Sequence, residues 1–137
     1  MRLEDQVCSL GLAKRLKELG VKQESYFFYE WYSDDSHRLT CKCEWIHVQT
    51  TKISAFTSAE LGEMLPDFII KDGCDCYIKS QKKGDEYKIY IDGLVKVSIF
   101  FDKNEADARA KMLIYLIENG LIKEQELFYL ETDYRDS

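Results

Sequence analysis

The segment DGCDCYIKS, Asp72 to Ser80, sets two cysteines one residue apart, and LTCKCEWIHVQ, Leu39 to Gln49, does the same. Two C-x-C pairs are a metal site, a pair of disulfides or the inner side of a sheet, and the fold follows from which. Alternate residues of an extended strand share a face. Leu39, Cys41, Cys43 and Trp45 then line one side of their segment, with Thr40, Lys42 and Glu44 on the other. In the later segment Cys76 and Ile78 share a side, and Lys79 and Gln81 point away. Both pairs ride on the apolar face, where free cysteine acts as a small hydrophobe. Zinc would need Cys41, Cys43, Cys74 and Cys76 to converge, or three of them with His47, yet C-x-C departs from the usual knuckle and a strand spreads its sulfurs apart. Five cysteines, with Cys8 left over, fit a reducing compartment. We read core cysteines, with metal and disulfide as the alternatives.

Outward from these pairs, strands are expected over Ser25–Tyr32, Leu39–Val48, Cys76–Gln81, Glu86–Ile91 and Val95–Phe101. SDDSHR links the first two, QKKGDE the third and fourth, and IDG the last two. A two-residue Asp92-Gly93 loop would mix charge and hydrocarbon on both faces of that last hairpin. A three-residue Ile91-Asp92-Gly93 loop with a bulge sorts them, setting Ile89 opposite Val95 and Tyr87 opposite Val97. It also sets Lys88 opposite Lys96, a mildly unfavourable pair.

Helices declare themselves by their ends. Ser9 starts one in which Leu12, Leu16 and Leu19 share a face, and Gly20 stops it, with Val21 folding back on Leu16. Thr57 to Glu60 is a capping box, Phe56 can staple to Leu61, and Pro66 limits this helix to about two turns. Asn104 caps the last helix, whose stripe is Ala106, Ala110, Leu113 and Ile117, and Gly120 ends it. The expected order is αββαβββα: a two-layer α+β domain over residues 1–137, its antiparallel sheet of about five strands carrying three helices on one face.

Composition bounds function. The 137 residues are 45% apolar and 32% charged, with one proline, as in a single globular domain. A net charge of −6 argues against a surface that is nucleic-acid footprint throughout. MRLEDQV does not read as a signal peptide, and the longest apolar run, Met112 to Ile117, falls far short of the ~20 residues that span a bilayer. The expectation is a cytoplasmic protein with no membrane partner.

Reaction chemistry is sparse. His37 and His47 lack an orienting third group, no Gly-rich phosphate loop appears, and Asp72, Gly73 and Asp75 do not space as a calcium loop. No catalytic residue and no cofactor are assigned, and an enzyme is the less favoured class. The informative feature is the polar side of the sheet. Parity gathers Lys42, Glu44, Tyr77, Lys79, Lys88, Tyr90 and Lys96 there, with Phe100 at one end. Interleaved rings and ammonium groups suit a nucleotide or single-stranded nucleic acid, whereas a solvated face is the plainer account. Lys42, Tyr77, Lys79, Lys88, Tyr90 and Lys96 are the candidate ligand-binding residues. SYFFYEWY is apolar on both sides, as a central or twice-covered strand is. In the tail, residues 123–137, Leu127, Leu130 and Tyr134 can dock on the domain, or LFYLE can add an edge strand, in cis or to a second copy.

Two segments, CSLGLAKRLKELGVKQES from Cys8 and EADARAKMLIYLIENGLI from Glu105, resemble stretches of small uncharacterised proteins encoded by bacteriophages and prophages of gut bacteria. FTSAELGEMLP, Phe56 to Pro66, recurs with them. The resemblance covers about a third of the chain, all helical scaffold, and implies context rather than activity: a mobile-element protein inside a bacterial cell. We expect a binding or accessory protein acting by protein–protein interaction, on a host or phage protein or as a homodimer. The alternative is a nucleotide or single-strand binder using the lysine–tyrosine face.

Overall fold

The computed structural model describes residues 2–31, 36–41, 51–93 and 99–122. These form an α+β fold with three helices and antiparallel sheets. After a 3₁₀ turn at Leu3–Asp5 come α1 (Leu10–Glu18), β1 (Phe27–Trp31), β2 (His37–Cys41) and β3 (Thr51–Ser54). Then follow α2 (Ser58–Met64), β4 (Phe68–Lys71), β5 (Cys74–Lys83), β6 (Glu86–Asp92), β7 (Ile99–Asp102) and α3 (Glu105–Glu118). The strands divide into two sheets, β2-β1-β3 and β4-β5-β6-β7, instead of the single five-stranded sheet expected.

The helix ends form as local chemistry dictates. Gly20 (φ 90°) and Gly120 (φ 65°) take the left-handed conformation that glycine adopts without strain. Val21 N–H donates to Leu16 C=O at 3.1 Å and Leu121 N–H to Leu116 C=O at 2.9 Å, closing a Schellman motif on each helix. Thr57 Oγ1 accepts from Glu60 N–H while Glu60 Oε1 accepts from Thr57 N–H, the complete capping box. Asn104 Oδ1 accepts from Ala106 and Asp107. Ser9 holds the N-cap position of α1 without a side-chain cap bond; its N–H donates to Asp107 Oδ1 at 2.6 Å, tying α1 to α3.

Two sheets form because α3 is apolar on two sides, as a central helix is. Ala106, Ala110, Leu113 and the partly buried Ile117, the expected stripe, close a core with α1, α2, Tyr29 and Ile53 of the first sheet. Ala108, Met112 and Leu116, on the other side, close a second core with Ile69, Cys76, Ile89 and Ile91. Helix α3 therefore contributes to both cores: it packs directly on β6 and β7, and on α1 and α2 in the core of the first sheet.

β1 is the central strand of its sheet, as its two-sided apolarity requires. Its second face holds Glu30, only 1% exposed, directly opposite Arg38 and Lys52 on the flanking strands. Arg38 Nε lies 3.8 Å and Lys52 Nζ 3.6 Å from its carboxylate. A carboxylate so far from water persists only when compensated in this way.

The second sheet differs most from expectation. Asp72 (φ 54°) and Gly73 (φ 80°) form a two-residue turn with both residues left-handed, joining Phe68–Lys71 to Cys74 as an extra hairpin. The three-residue Ile91-Asp92-Gly93 turn expected here does not form, because Ile91 and Asp92 continue β6 and pair with Ile78 and Tyr77. β6 runs through Asp92, and its register with β7 pairs Tyr87 with Asp102, Lys88 with Phe101 and Ile89 with Phe100. The expected Ile89–Val95 register and its Lys88–Lys96 repulsion are thereby replaced. Residues 94–98 lie outside the described residues, as do residues 42–50 and the tail 123–137.

Candidate functional site

Antiparallel register assigns the faces of the second sheet. Ile69, Cys76, Ile78, Ile89, Ile91 and Phe100 turn towards α3. The opposite face shows Phe68 beside Tyr77 beside Asp92, then Lys79 beside Tyr90 beside Ile99, then Gln81 beside Lys88 beside Phe101. Four of the six expected binding residues, Tyr77, Lys79, Lys88 and Tyr90, therefore meet on adjacent positions of β5 and β6. Lys42 and Lys96 lie outside the described residues, and so does Glu44.

The face is more apolar than expected. Among the described residues the exposed large hydrophobics are Tyr26, Phe68, Ile70, Tyr77, Ile99 and Phe101, and all but Tyr26 stand here, each 44–65% exposed. Phe68 and Tyr77 form an aromatic pair with ring centroids 6.0 Å apart. Phe100, expected on this side, instead turns inward against Tyr115, with centroids 5.7 Å apart, and Phe101 takes the outward place. Phe68 and Ile70 escaped notice because FIIK, four residues just past Pro66, shows no alternation on its own. Its signal was the Asp-Gly dipeptide that follows it.

Charge on the face is largely spent internally. Lys79 Nζ sits 2.7 Å from Asp92 Oδ2, and that hydrogen bond raises the Lys79 pKa above its ordinary range. Lys88 Nζ lies 4.6 Å from the centre of the Tyr90 ring, a cation–π contact. Lys83 is directly opposite Glu86 at the hairpin end. The Lys79–Asp92 pair lowers the positive potential available to a phosphate chain, whereas Lys88 keeps its charge over the Tyr90 ring.

Thiol chemistry does not converge. Cys74 and Cys76 are free thiols on the inner side of β5, as expected, with Cys76 fully buried. Cys41 belongs to the other sheet and is disulfide-bonded, which departs from the free core thiol expected there. Cys43 and His47 lie outside the described residues. Among the described residues no three His, Cys, Asp or Glu side chains are grouped to hold a metal ion. Burial pushes the Cys8 thiol up to about 12, so it is neutral and unreactive at pH 7. His37 stacks on Trp31, with ring centroids 5.3 Å apart.

A cleft of about 450 Å³ opens where the starts of α2 and α3 meet, near Gln6, Tyr87 and Lys103. Its polar groups serve the scaffold. Ser58 Oγ donates to Glu105 Oε1 at 2.6 Å, Glu105 pairs with Arg109, and Arg109 Nη1 donates to the Ser58 carbonyl at 2.7 Å. A serine bonded to a carboxylate that is itself ion-paired has no strong base to activate it.

No helix among the described residues is long and apolar enough to cross a membrane. Compared with protein families, curated proteins and solved structures, the chain matches none.

Proposed function

We propose that this chain is a non-enzymatic binding protein that engages another protein through the outer face of its second sheet. One observation carries this: Phe68, Ile70 and Tyr77 on β4 and β5, and Ile99 and Phe101 on β7, stand exposed on one face, with Lys79 ion-paired to Asp92 and Lys88 stacked on Tyr90 between them. Exposed aromatic and aliphatic side chains gathered on one face mark interaction sites, and aromatic groups dominate the binding energy at protein interfaces. The partner presents an apolar patch flanked by charges of both signs. In line with the phage resemblance of the helical segments, the partner is a host or phage protein.

Single-stranded nucleic acid is the competing ligand, because Tyr77, Tyr90 and Phe101 can stack bases. The Lys79–Asp92 pair disfavours it by removing one of the charges that would track a backbone. Wild type and a Tyr77→Ser/Phe101→Ser variant, each used as bait in a lysate of the cells that carry the gene, test the proposal. A protein held by wild type and lost by the variant supports the face, and identical retention by both baits overturns it. A labelled oligonucleotide bound at low salt, and released by Lys88→Glu with Tyr90→Ser, would install the nucleic-acid reading in its place.

A further inference from the structure

Among the described residues β4 is the outer strand of the second sheet, with no strand paired on its other edge. Ile78 N–H donates to Asp67 C=O at 3.0 Å, which fixes the alternation along β4. The backbone groups of Asp67, Ile69 and Lys71 point to β5, and those of Phe68 and Ile70 point to the open side. An unpaired apolar edge is a template for another strand unless it is guarded.

Two other edges of these sheets carry guards. On β7, Lys111 Nζ meets the Phe101 carbonyl at 3.4 Å and Asp102 at 2.8 Å. On β3, Lys17 Nζ meets the Lys52 carbonyl at 3.2 Å, and Ser54 N–H donates to Gln23 Oε1 at 2.9 Å. Among the described residues nothing occupies the outward backbone groups of Phe68 and Ile70. A groove of about 500 Å³ lies between Pro66–Ile70 and Gly120–Ile122.

We propose that β4 pairs antiparallel with β4 of a second copy of this chain, about a two-fold axis at Ile69. Only outward-facing residues can exchange hydrogen bonds across this edge, which restricts the register. Setting Phe68 opposite Ile70 of the second copy uses all four outward N–H groups of the two strands. Shifting by two residues one way sets Ile70 opposite Pro66, which has no N–H. Shifting the other way sets Phe68 opposite Asp72, inside the turn. The favoured register also places Asp67 opposite Lys71 of the second copy, twice by symmetry, and among the described residues neither side chain has an ion-pair partner within its own protomer. The edge is thus self-complementary in hydrogen bonds, hydrocarbon and charge, as a two-fold contact demands. Two four-stranded sheets become one of eight strands. This contact uses the strand edge rather than the outer face, so either proposal can fail without the other.

Four residues a side is a small contact, at the transient end of interface sizes. Sedimentation equilibrium of the full chain therefore runs from about 10 μM to about 1 mM, where weak association becomes visible. Wild type is expected to show a monomer–dimer equilibrium. Asp67→Lys alone and Lys71→Asp alone each turn two attractions into repulsions and raise the dissociation constant about tenfold. The double variant Asp67→Lys/Lys71→Asp restores wild-type association, which a merely misfolded surface would not do. Ile70→Pro removes an outward N–H at an edge position that tolerates proline, and abolishes the dimer. A chain monomeric throughout that range overturns the proposal. So does a dimer indifferent to the single reversals, or one that the double variant fails to restore. A monomer whose Phe68 and Ile70 amides exchange slowly also overturns it, since another segment, such as LFYLE of the tail, would then cover the edge.

Discussion

Gly93 lies directly over the thiol of Cys76: a Cβ on Gly93 would stand 2.6 Å from Sγ and 3.1 Å from the Cys76 Cβ. The end of β6 can approach β5 so closely only because one residue has no side chain. Gly93→Ala is expected to destabilise the fold by about 1–3 kcal/mol through overpacking. Cys76→Ala removes the sulfur but not the Cβ, so the double variant should recover part of the loss, with a coupling of about 1 kcal/mol. Urea unfolding of the four proteins measures this, and additive effects would show that the two residues do not press on each other.

That contact also shows what the sequence could and could not display. Two Asp-Gly dipeptides occur, and the period-two pattern favours a three-residue turn at Ile91-Asp92-Gly93. The two-residue turn forms at Asp72-Gly73, where both residues are left-handed, and Gly93 instead serves close packing. Helix ends were legible because caps and Schellman motifs are satisfied within a few residues. The inward thiols of β5 were legible because period two survives any choice of partner strand. The register of β7 was not, because Phe100 is set by Tyr115 on α3, a contact that no local pattern encodes. The second apolar side of α3 was present as Ala108, Met112 and Leu116, yet a single stripe satisfied the helical period and hid the need for two sheets.

Glu30 should be among the most costly residues to remove. It is buried between Arg38 and Lys52, and taking away the carboxylate leaves positive charge facing the interior of the first sheet. Glu30→Ala is expected to cost about 3 kcal/mol or more, as buried pairs do when one partner is lost. The denaturation midpoint should fall with little change in m. A loss below about 0.5 kcal/mol, the range of ordinary surface substitutions, would mean that the carboxylate is solvated after all.

The outer face of the second sheet should separate stability from binding. Tyr77, Ile99 and Phe101 lie on the side away from α3 and are each about half exposed. Replacing Tyr77 or Phe101 by serine should shift unfolding by no more than about 0.5 kcal/mol, because neither closes a core. By contrast Met112→Ala, beneath the same sheet, should cost about 2–5 kcal/mol. Thermal melts of the three variants decide this. Comparable losses at Tyr77 and Met112 would mean that the outer face is covered in solution.

Alkaline pH should weaken the fold through two buried groups, Cys8 and Tyr29. Burial raises the Cys8 thiol from 9.0 to about 12, and burial likewise raises the Tyr29 phenol from 10.0 to about 12, where its hydroxyl donates to the Cys8 carbonyl at 2.8 Å. The unfolded chain releases both protons earlier than the folded one. Stability from these groups is therefore complete below pH 9 and is lost as pH climbs towards 12, at roughly 1.4 kcal/mol per pH unit for each titrating group. Urea midpoints measured across this interval should fall, and Cys8→Ala should delay the onset by removing the earlier of the two groups. Tyr29→Phe lowers stability at every pH, because it leaves the buried carbonyl of Cys8 without its donor, but it should flatten the slope above pH 10. Profiles of all three proteins that run parallel would show that neither group holds its proton in the folded state.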